Sequence, residues 1–389
     1  MRRLACLPLA AGALALVGCT DELAPLEGTT SLKVELVAPA DPGSDEHPLD
    51  YELDPATHEV TVKVTALDTQ GEVDTAFTKD VDVYVQFLGS LTPELESRAT
   101  LGHVHLEAGA STPTAIDLPP VFGPTFLWIE DGTGDDATYA TGTSPSLRFR
   151  DPYIANVSTP KDESRLDALS ASPLQGKQIV VHASRHGARG RLVVTSVFAQ
   201  GYTVSDVQCA DDAGTPPCTT AAYDHVLIFT FSRPRGAHGP LQVGETIERF
   251  TGAVSEFNGL TEISFPQTFA SDAAPEPARI PPPVVVQESW LSTDMIEFER
   301  NEAFQVAVEN AKLCPLDSNY TDYKQWKLDI GSGCGAAINV ITSGVVDFEP
   351  GQHVGSTVTR VVGTLRPVSI GSFNVWIIYP RSASDLTLQ

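Results

Sequence analysis

Basic residues are scarce in this sequence. Lysine and arginine number 25 against 50 aspartates and glutamates, which gives a formal net charge of −25 and a pI near 4.6. A surface this acidic repels nucleic-acid phosphates and anionic lipids unless a local patch reverses its sign. The composition therefore disfavours nucleic acid as a partner.

Helical periodicity is also nearly absent. Apolar and polar residues alternate instead in short segments such as 58–68, 80–87 and 125–131, as expected for half-buried strands. Glycine, proline and aspartate separate these segments at intervals typical of a β-sandwich, roughly every ten residues. We therefore predict an all-β protein whose first domain, residues 31–152, is an immunoglobulin-like β-sandwich.

Motifs of several enzyme classes are missing. Gly176 and Lys177 lack the upstream glycine and the following Ser or Thr of a phosphate-binding loop. Residues 142–146, GTSPS, do not form the nucleophile elbow of a serine hydrolase. We expect no cofactor.

The N-terminus has the features of a secretory signal. Arg2 and Arg3 precede an apolar run that is too short to span a bilayer. Residues 16–19, LVGC, then resemble the lipobox of bacterial lipoproteins. The resemblance implies that residues 1–19 are a lipoprotein signal ending at Cys19, which is lipidated after cleavage. The absence of aspartate at the next position implies the outer membrane of a Gram-negative bacterium.

A short polar and acidic segment, residues 20–30, follows the lipobox. Such a composition is typical of a flexible tether. The folded part would then be held at the membrane through its N-terminal lipid, so the predicted location is extracytoplasmic.

Cysteine usage indicates an oxidising compartment. Four cysteines lie beyond the predicted signal: Cys209, Cys218, Cys314 and Cys334. An even number in a secreted chain predicts two disulfides. Pairing of sequence neighbours would close two short loops, each stabilising the fold by about 2–4 kcal/mol. A structural zinc site is the alternative, but no two cysteines have the spacing of two to four residues that zinc ligands usually show.

Residues 160–272 resemble the OB-fold domains that accompany secreted bacterial nucleases. The resemblance rests on glycines at which that family bends its strands and on one characteristic turn. The matching residues are Gly244, Gly252, Glu256, Phe257 and Gly259. It implies an OB-like β-barrel. No catalytic nuclease region follows, so we expect a binding role.

The C-terminal part repeats this theme. Residues 273–286 are rich in proline, and we expect them to form an extended linker. Residues 287–389 resemble the second half of the same nuclease-associated region. The matching residues are Gly363, Leu365, Pro380, Arg381 and Asp385. We predict a second OB-like barrel here.

A basic cluster interrupts two apolar segments at residues 178–194. Four of its residues resemble the signature of histidine acid phosphatases, in which a histidine attacks phosphate and arginines hold its oxygens. These residues are Arg185, His186, Gly187 and Arg189. That family also needs a proline where Arg191 stands and a downstream His-Asp or His-Ala-Glu proton donor. Since residues 223–226, YDHV, present the reverse order, we expect no catalytic residues and a solvated basic bulge between strands.

The same basic residues are candidates for binding an anionic ligand. The candidates are Arg185, His186, Arg189, Arg191, Arg233 and Arg235. OB barrels bind single-stranded nucleic acid with basic grooves and stacking aromatics, for which Tyr202 is a candidate. Phe229 and Phe231 are further aromatics, but we expect them in the core because alternate residues of a barrel strand point inward. Acidic polysaccharide, lipid headgroups or protein carboxylates could bind the same charges.

A histidine pair is a candidate metal site. Alternation places His103, His105 and Glu107 on one face of a strand, with Val104 and Leu106 facing the core. Any half-buried strand with a polar face would look the same, so this reading stays open.

These observations predict a non-catalytic, lipid-anchored cell-surface or periplasmic protein. It would work in adhesion, assembly or ligand capture, with a protein or glycan as the unidentified partner. The first alternative is accessory binding of extracellular nucleic acid. The second is phosphatase chemistry at the basic cluster.

Overall fold

A computed structural model of the protein describes residues 28–87, 100–162, 171–291, 295–342, 347–370 and 373–388. The predicted signal, lipobox and most of the tether lie outside these residues. Within them, no helix is long and apolar enough to span a membrane. The chain is all-β, as predicted, and is an immunoglobulin-like sandwich followed by two OB-like barrels.

The first domain is a β-sandwich. Its strands are β1 (Ser31–Ala38), β2 (Glu59–Leu67), β3 (Lys79–Phe87), β4 (Gly102–Leu106), β5 (Thr114–Asp117), β6 (Pro124–Glu130), β7 (Thr141–Thr143) and β8 (Leu147–Arg148). They pair in the order β4-β3-β6-β7-β1-β2-β5, with β8 on β6. The core forms because alternate residues of facing strands are apolar, for example Val62 of β2, Val83 of β3 and Leu127 of β6.

The second domain is a closed barrel. Its elements are α1 (Ile154–Ser158), β9 (Gln178–Val181), β10 (Gly190–Phe198), β11 (Gly201–Gln208), β12 (His225–Phe229), β13 (Arg235–Gly236), β14 (Gly239–Pro240), β15 (Thr246–Phe257) and β16 (Leu260–Ala270). The order β10-β11-β12-β16-β15 closes through a β10–β15 pairing, and β12 lies parallel to β16. This is the five-stranded OB arrangement.

The third domain repeats that arrangement. Its elements are β17 (Val284–Val285), α2 (Ile296–Arg300), β18 (Gln305–Leu313), α3 (Ser318–Tyr323), β19 (Gln325–Asp329), β20 (Ile338–Ile341), β21 (Thr357–Ile370), β22 (Phe373–Tyr379) and β23 (Leu386–Leu388). The order β18-β19-β20-β22-β21 closes through β18–β21, and β20 lies parallel to β22.

Each barrel has a glycine at the place where its fourth strand passes closest to the fifth. A Cβ at Gly252 in β15 would lie 2.3 Å from Ile263 Cγ2, and a Cβ at Gly363 in β21 would lie 2.5 Å from the carbonyl carbon of Tyr379. Contacts this short are forbidden for real side chains, so only glycine fits. Both glycines belong to the pattern that resembles the OB-fold family.

Two disulfides are present, and both join sequence neighbours as predicted. Cys209 pairs with Cys218 and Cys314 pairs with Cys334, at sequence separations of 9 and 20. The first bond is buried beside Val193 of β10. Each disulfide therefore fixes a loop onto its own barrel.

The proline-rich connector differs from a free linker. Ile280 packs against the cluster around the first disulfide. Arg279 donates hydrogen bonds to the carbonyl of Gly214 (2.8 Å) and to Thr246 Oγ1 (3.2 Å). The connector ends in β17, which pairs parallel to β18. The connector therefore runs along the first barrel and contacts it, which its proline-rich composition does not predict.

The two barrels are joined by buried polar contacts. Ser196 Oγ lies 3.1 Å from Thr364 Oγ1. The carbonyl of Thr195 accepts hydrogen bonds from Gln305 Nε2 (2.5 Å) and from Arg381 Nη1 (3.4 Å). The C-terminal barrel is thus docked directly against β10 of the first.

Candidate functional site

A cleft between the two barrels combines a large volume with a positively charged lining. Its volume is about 990 Å³, at the upper end of the range of ligand sites, roughly 300–1,000 Å³. The polar and aromatic residues of its wall are Phe198, Arg233, Gln242, Arg366, Tyr379 and Arg381. Three of these are arginines, and no carboxylate lines this cleft within the part of the chain that the structure describes.

Arg366 lies at the centre of this arginine-lined cleft. Its guanidinium carbon is 4.0 Å from the ring centroid of Phe198 and 5.2 Å from that of Tyr379. Burial lowers the pKa of Arg366 to about 10, while the neighbouring Tyr379 and Glu262 oppose that shift. The group stays charged at neutral pH, and its Nε makes no hydrogen bond to any described residue. Stacking between two rings orients such a cation without neutralising it.

The other two arginines of the cleft differ in whether a carboxylate is paired with them. Arg381 forms a double hydrogen bond with Asp385, from Nε to Oδ2 (3.0 Å) and from Nη2 to Oδ1 (2.9 Å). Its charge is therefore compensated, and its role is to hold the two barrels together. Arg233 is exposed and has no ion-pair partner among the described residues. Arg233 therefore supplies positive charge without a carboxylate partner, whereas the charge of Arg366 is partly balanced by the carboxylate of Glu262.

The basic cluster at 185–191 lies elsewhere. Its residues 185–189 lie in the loop from β9 to β10, with a short 3-10 turn over Gly187–Arg189, and Arg191 is the second residue of β10, whereas Phe198 ends that strand. About 20–25 Å of strand therefore separates the cluster from Phe198 at 3.3 Å per residue. The two basic clusters seen in the sequence do not form one groove.

Much of the positive charge of this loop is used internally. Arg191 donates hydrogen bonds to the carbonyls of Ala188 (2.7 Å), Gly190 (2.6 Å) and Asp212 (2.6 Å). Arg189 is the exposed member, with no side-chain partner among the described residues. The loop therefore offers less free charge than its sequence indicates.

The first two residues of the basic cluster, Arg185 and His186, contact buried carboxylates. Arg185 Nε lies 2.7 Å from Asp224 Oδ1, and His186 Nε2 donates to Asp224 Oδ2 at 3.0 Å. The backbone N–H of Arg185 donates to Asp206 Oδ2 at 2.8 Å. The hydrogen bond to Asp224 raises the pKa of His186, and burial raises the pKa of Asp206 to about 6.

A second histidine lies behind this group. His225, at the start of β12, is fully buried and stacks on Phe304 with ring centroids 3.9 Å apart. Its Nδ1 is 2.8 Å from Ser205 Oγ. Burial lowers the pKa of His225 to about 3, so this imidazole is neutral. It packs in the interior and does not reach the loop surface.

The aromatic candidates are not placed as nucleic-acid binding would require. Tyr202 is completely buried, and its hydroxyl lies 2.5 Å from Thr268 Oγ1, so it offers no face to a base. Phe229 is partly buried. Phe231, expected in the core, is instead 53% exposed because β12 ends before it.

The remaining candidates are also separate. Arg235 lies in the β13–β14 hairpin, exposed. His103 Nδ1 is 2.8 Å from Asp82 Oδ1, and His105 Nδ1 is 2.7 Å from Asp80 Oδ1. These are cross-strand pairs to β3.

Glu107 is exposed and lies 3.6 Å from His105 Nε2. Val104 and Leu106 face the core as predicted. The structure thus pairs each histidine separately with a carboxylate of the neighbouring strand.

Sequence reasoning missed several residues of these sites. Asp206 and Asp224 stand within or beside apolar strand segments, where a buried carboxylate is itself a signal. Arg366 and Phe198 meet only because the barrels dock, and no local pattern predicts that contact.

Comparison with known proteins gives little guidance. No protein-family model and no curated protein matches the chain. Among solved structures, the chain is similar to dimeric latent PorU from Porphyromonas gingivalis, at 11% identity and a TM-score of 0.21. The match covers 90% of this chain and 34% of that one, so this chain spans about a third of its length. A likeness this weak supports no transfer of fold or function.

Proposed function

We propose that this protein is a non-catalytic, lipid-anchored binding protein that captures an acidic polysaccharide in the arginine-lined cleft. The observation that carries the proposal is a cleft of about 990 Å³ with three arginines and no carboxylate in its described lining, in a chain of net charge −25. Positive charge retained at one concave site of an acidic protein favours an anionic ligand there.

The aromatic residues favour a glycan over single-stranded nucleic acid. Base stacking needs free ring faces, but Phe198 is already stacked on Arg366 and Tyr202 is buried. The acidic remainder of the surface also repels a long polyphosphate. A chain of uronic acids presents carboxylates, which arginine side chains bind through charge-assisted hydrogen bonds.

One structural feature and one sequence pattern support an extracytoplasmic location. Both disulfides are of the kind that persists in oxidising compartments. Residues 16–19 supply the lipobox-like pattern for an anchor at Cys19. Incorporation of labelled palmitate, lost in Cys19→Ala, tests the anchor directly.

Replacing Arg233 with glutamate is expected to weaken binding of a fluorescent oligogalacturonate by about tenfold or more. Because Arg233 is exposed, we expect the variant to fold normally, since surface substitutions change stability by roughly 0.5 kcal/mol or less. Anisotropy over a range of salt concentrations gives the affinity, which should fall as salt rises.

Arg189→Glu is the matched control, because it makes the same charge change at the far end of β10 and should leave the affinity unchanged. An oligothymidylate of matched length serves as competitor. Tighter binding of the oligothymidylate would establish the nucleic-acid alternative instead. No saturable binding of either probe at low salt would overturn an anionic ligand in the cleft.

Phosphatase activity is not expected from the loop at 185–191. A strand follows the loop where the histidine phosphatases have a helix. Arg185 and His186 are both paired with Asp224, and an imidazole nitrogen that donates a hydrogen bond has no lone pair free for attack. Release of p-nitrophenol from p-nitrophenyl phosphate should stay at background. Activity abolished by His186→Ala would contradict this expectation.

A further inference from the structure

His186, Asp206 and Asp224 converge from three separate parts of the second domain. His186 lies in the loop before β10, Asp206 near the end of β11, and Asp224 immediately before β12. One potential ligand atom from each lies within 4.8 Å of those of the other two. Ligand atoms at roughly 2.0–2.2 Å from a metal are at most about 4.4 Å apart, so a shared ion would draw these side chains together by a few tenths of an ångström.

The carboxylate of Asp206 is incompletely satisfied. Asp206 is fully buried, and its carboxylate accepts from the Ser184 hydroxyl and, at Oδ2, from the backbone N–H of Arg185, whereas Oδ1 has no hydrogen-bond partner among the described residues. Buried carboxylate oxygens are ordinarily paired, because leaving one without a partner costs about 1–3 kcal/mol. Asp206 lies on β11, which pairs with β10 on one side and β12 on the other. His186 and Asp224 lie in the segments that precede those two strands.

Asp224 is also fully buried, and its partners are a backbone N–H, an imidazole and a guanidinium. Its Oδ2 accepts from His186 and from the N–H of Ala221 (2.7 Å). Its Oδ1 faces Arg185, whose side chain is 31% exposed. Two interior carboxylates thus depend on a partly exposed guanidinium and an imidazole for charge compensation, which a bound cation would supply more directly.

We propose that His186, Asp206 and Asp224 bind a divalent transition-metal ion, with zinc as the best fit. One imidazole and two carboxylates are ligands that Zn²⁺ accepts readily. The imidazole disfavours Ca²⁺ and Mg²⁺, which take oxygen ligands. Binding would release the proton of His186 Nε2 and move the Arg185 guanidinium away from Asp224. Three protein ligands leave a position for water or an anion.

The test is a zinc titration of the metal-free, tag-free mature protein followed by calorimetry. We expect one ion per chain at this site. Asp206→Asn should weaken the affinity by about 100-fold or more, since even supporting residues of metal sites contribute 10–100-fold. Asp212→Asn, an exposed aspartate in the neighbouring loop, should leave the affinity unchanged. His105→Ala should also leave it unchanged, which separates this site from the exposed histidines of β4.

Arg185→Gln keeps the proposal testable if Asp206→Asn fails to fold. Removing the competing cation should tighten zinc binding by roughly threefold or more, an effect that a purely structural ion network would not produce. No saturable zinc binding, equal affinities in Asp206→Asn and Asp212→Asn, or unchanged affinity in Arg185→Gln would each overturn the proposal.

Discussion

Glu302→Gln is expected to stabilise the protein near pH 8 and to remove much of the pH dependence of its unfolding. Glu302 is buried between the barrels, where Oε1 accepts the N–H of Thr261 (3.0 Å) and Oε2 has no partner among the described residues. Burial, with the nearby carboxylates of Glu299 and Glu256, raises the pKa of Glu302 well above its usual range. Burial also raises the pKa of Glu299 to about 8.

The sign of the effect follows from proton binding. A carboxyl whose pKa is higher in the folded state binds its proton more tightly there than in the unfolded chain. The folded state therefore loses stability as the pH rises from the unfolded pKa, about 4.3, through the folded value. For Glu299 that window ends near pH 8. The raised pKa of Glu302 acts in the same direction as that of Glu299, so both carboxyls destabilise the folded state as the pH rises.

Thermal unfolding across this pH window provides the measurement. Wild type should unfold at a lower temperature near pH 8 than near pH 5.5, and the glutamine variant should show a much smaller difference, about half or less. Glu248→Gln, on the exposed face of β15, is the control and should follow wild type. A glutamine variant that is less stable than wild type at both pH values would refute this account.

Phe250→Ala is expected to destabilise the first barrel by about 3–5 kcal/mol. The ring of Phe250 is fully buried in the core of that barrel, together with Tyr202 and Ile228. The cost combines the lost burial of the ring with the cavity that remains, because a closed barrel relaxes little. Hydrogen exchange, followed by mass spectrometry on peptides from β10, β11 and β12, reports this barrel separately from the other domains.

The same strand provides the control. Phe257 ends β15 and is 62% exposed, so Phe257→Ala should change protection in these peptides by no more than about 0.5 kcal/mol. Comparable losses in both variants would mean that the ring of Phe250 is not held as the core contact described above.

The fold followed from local patterns. Alternation correctly assigned Val104 and Leu106 to the core of the sandwich, because a strand buried on one face repeats every two residues. Gly252 and Gly363 indicated bends that the structure explains by close approach of neighbouring strands. The disulfides followed from cysteine number and spacing.

The sites depended on contacts that no local pattern contains. Alternation along β12 predicts a core position for Phe231, but the strand ends at Phe229. The resemblance to OB barrels makes Tyr202 a candidate for stacking on a base, but both faces of β11 are covered. The neighbours of Arg366 come from a different domain, and a sequence read segment by segment cannot join them.

The hydrogen bonds at the Thr195 carbonyl have a consequence for ligand binding. Gln305 and Arg381, both on the C-terminal barrel, donate hydrogen bonds to this one oxygen of β10. The two barrels that form the cleft are therefore held together at this point. A ligand would enter a cleft whose width is set before binding, so binding would require little further ordering of the protein. If the proposed polysaccharide binds there, a cleft of fixed width should admit a linear single chain more readily than a branched or double-stranded polymer.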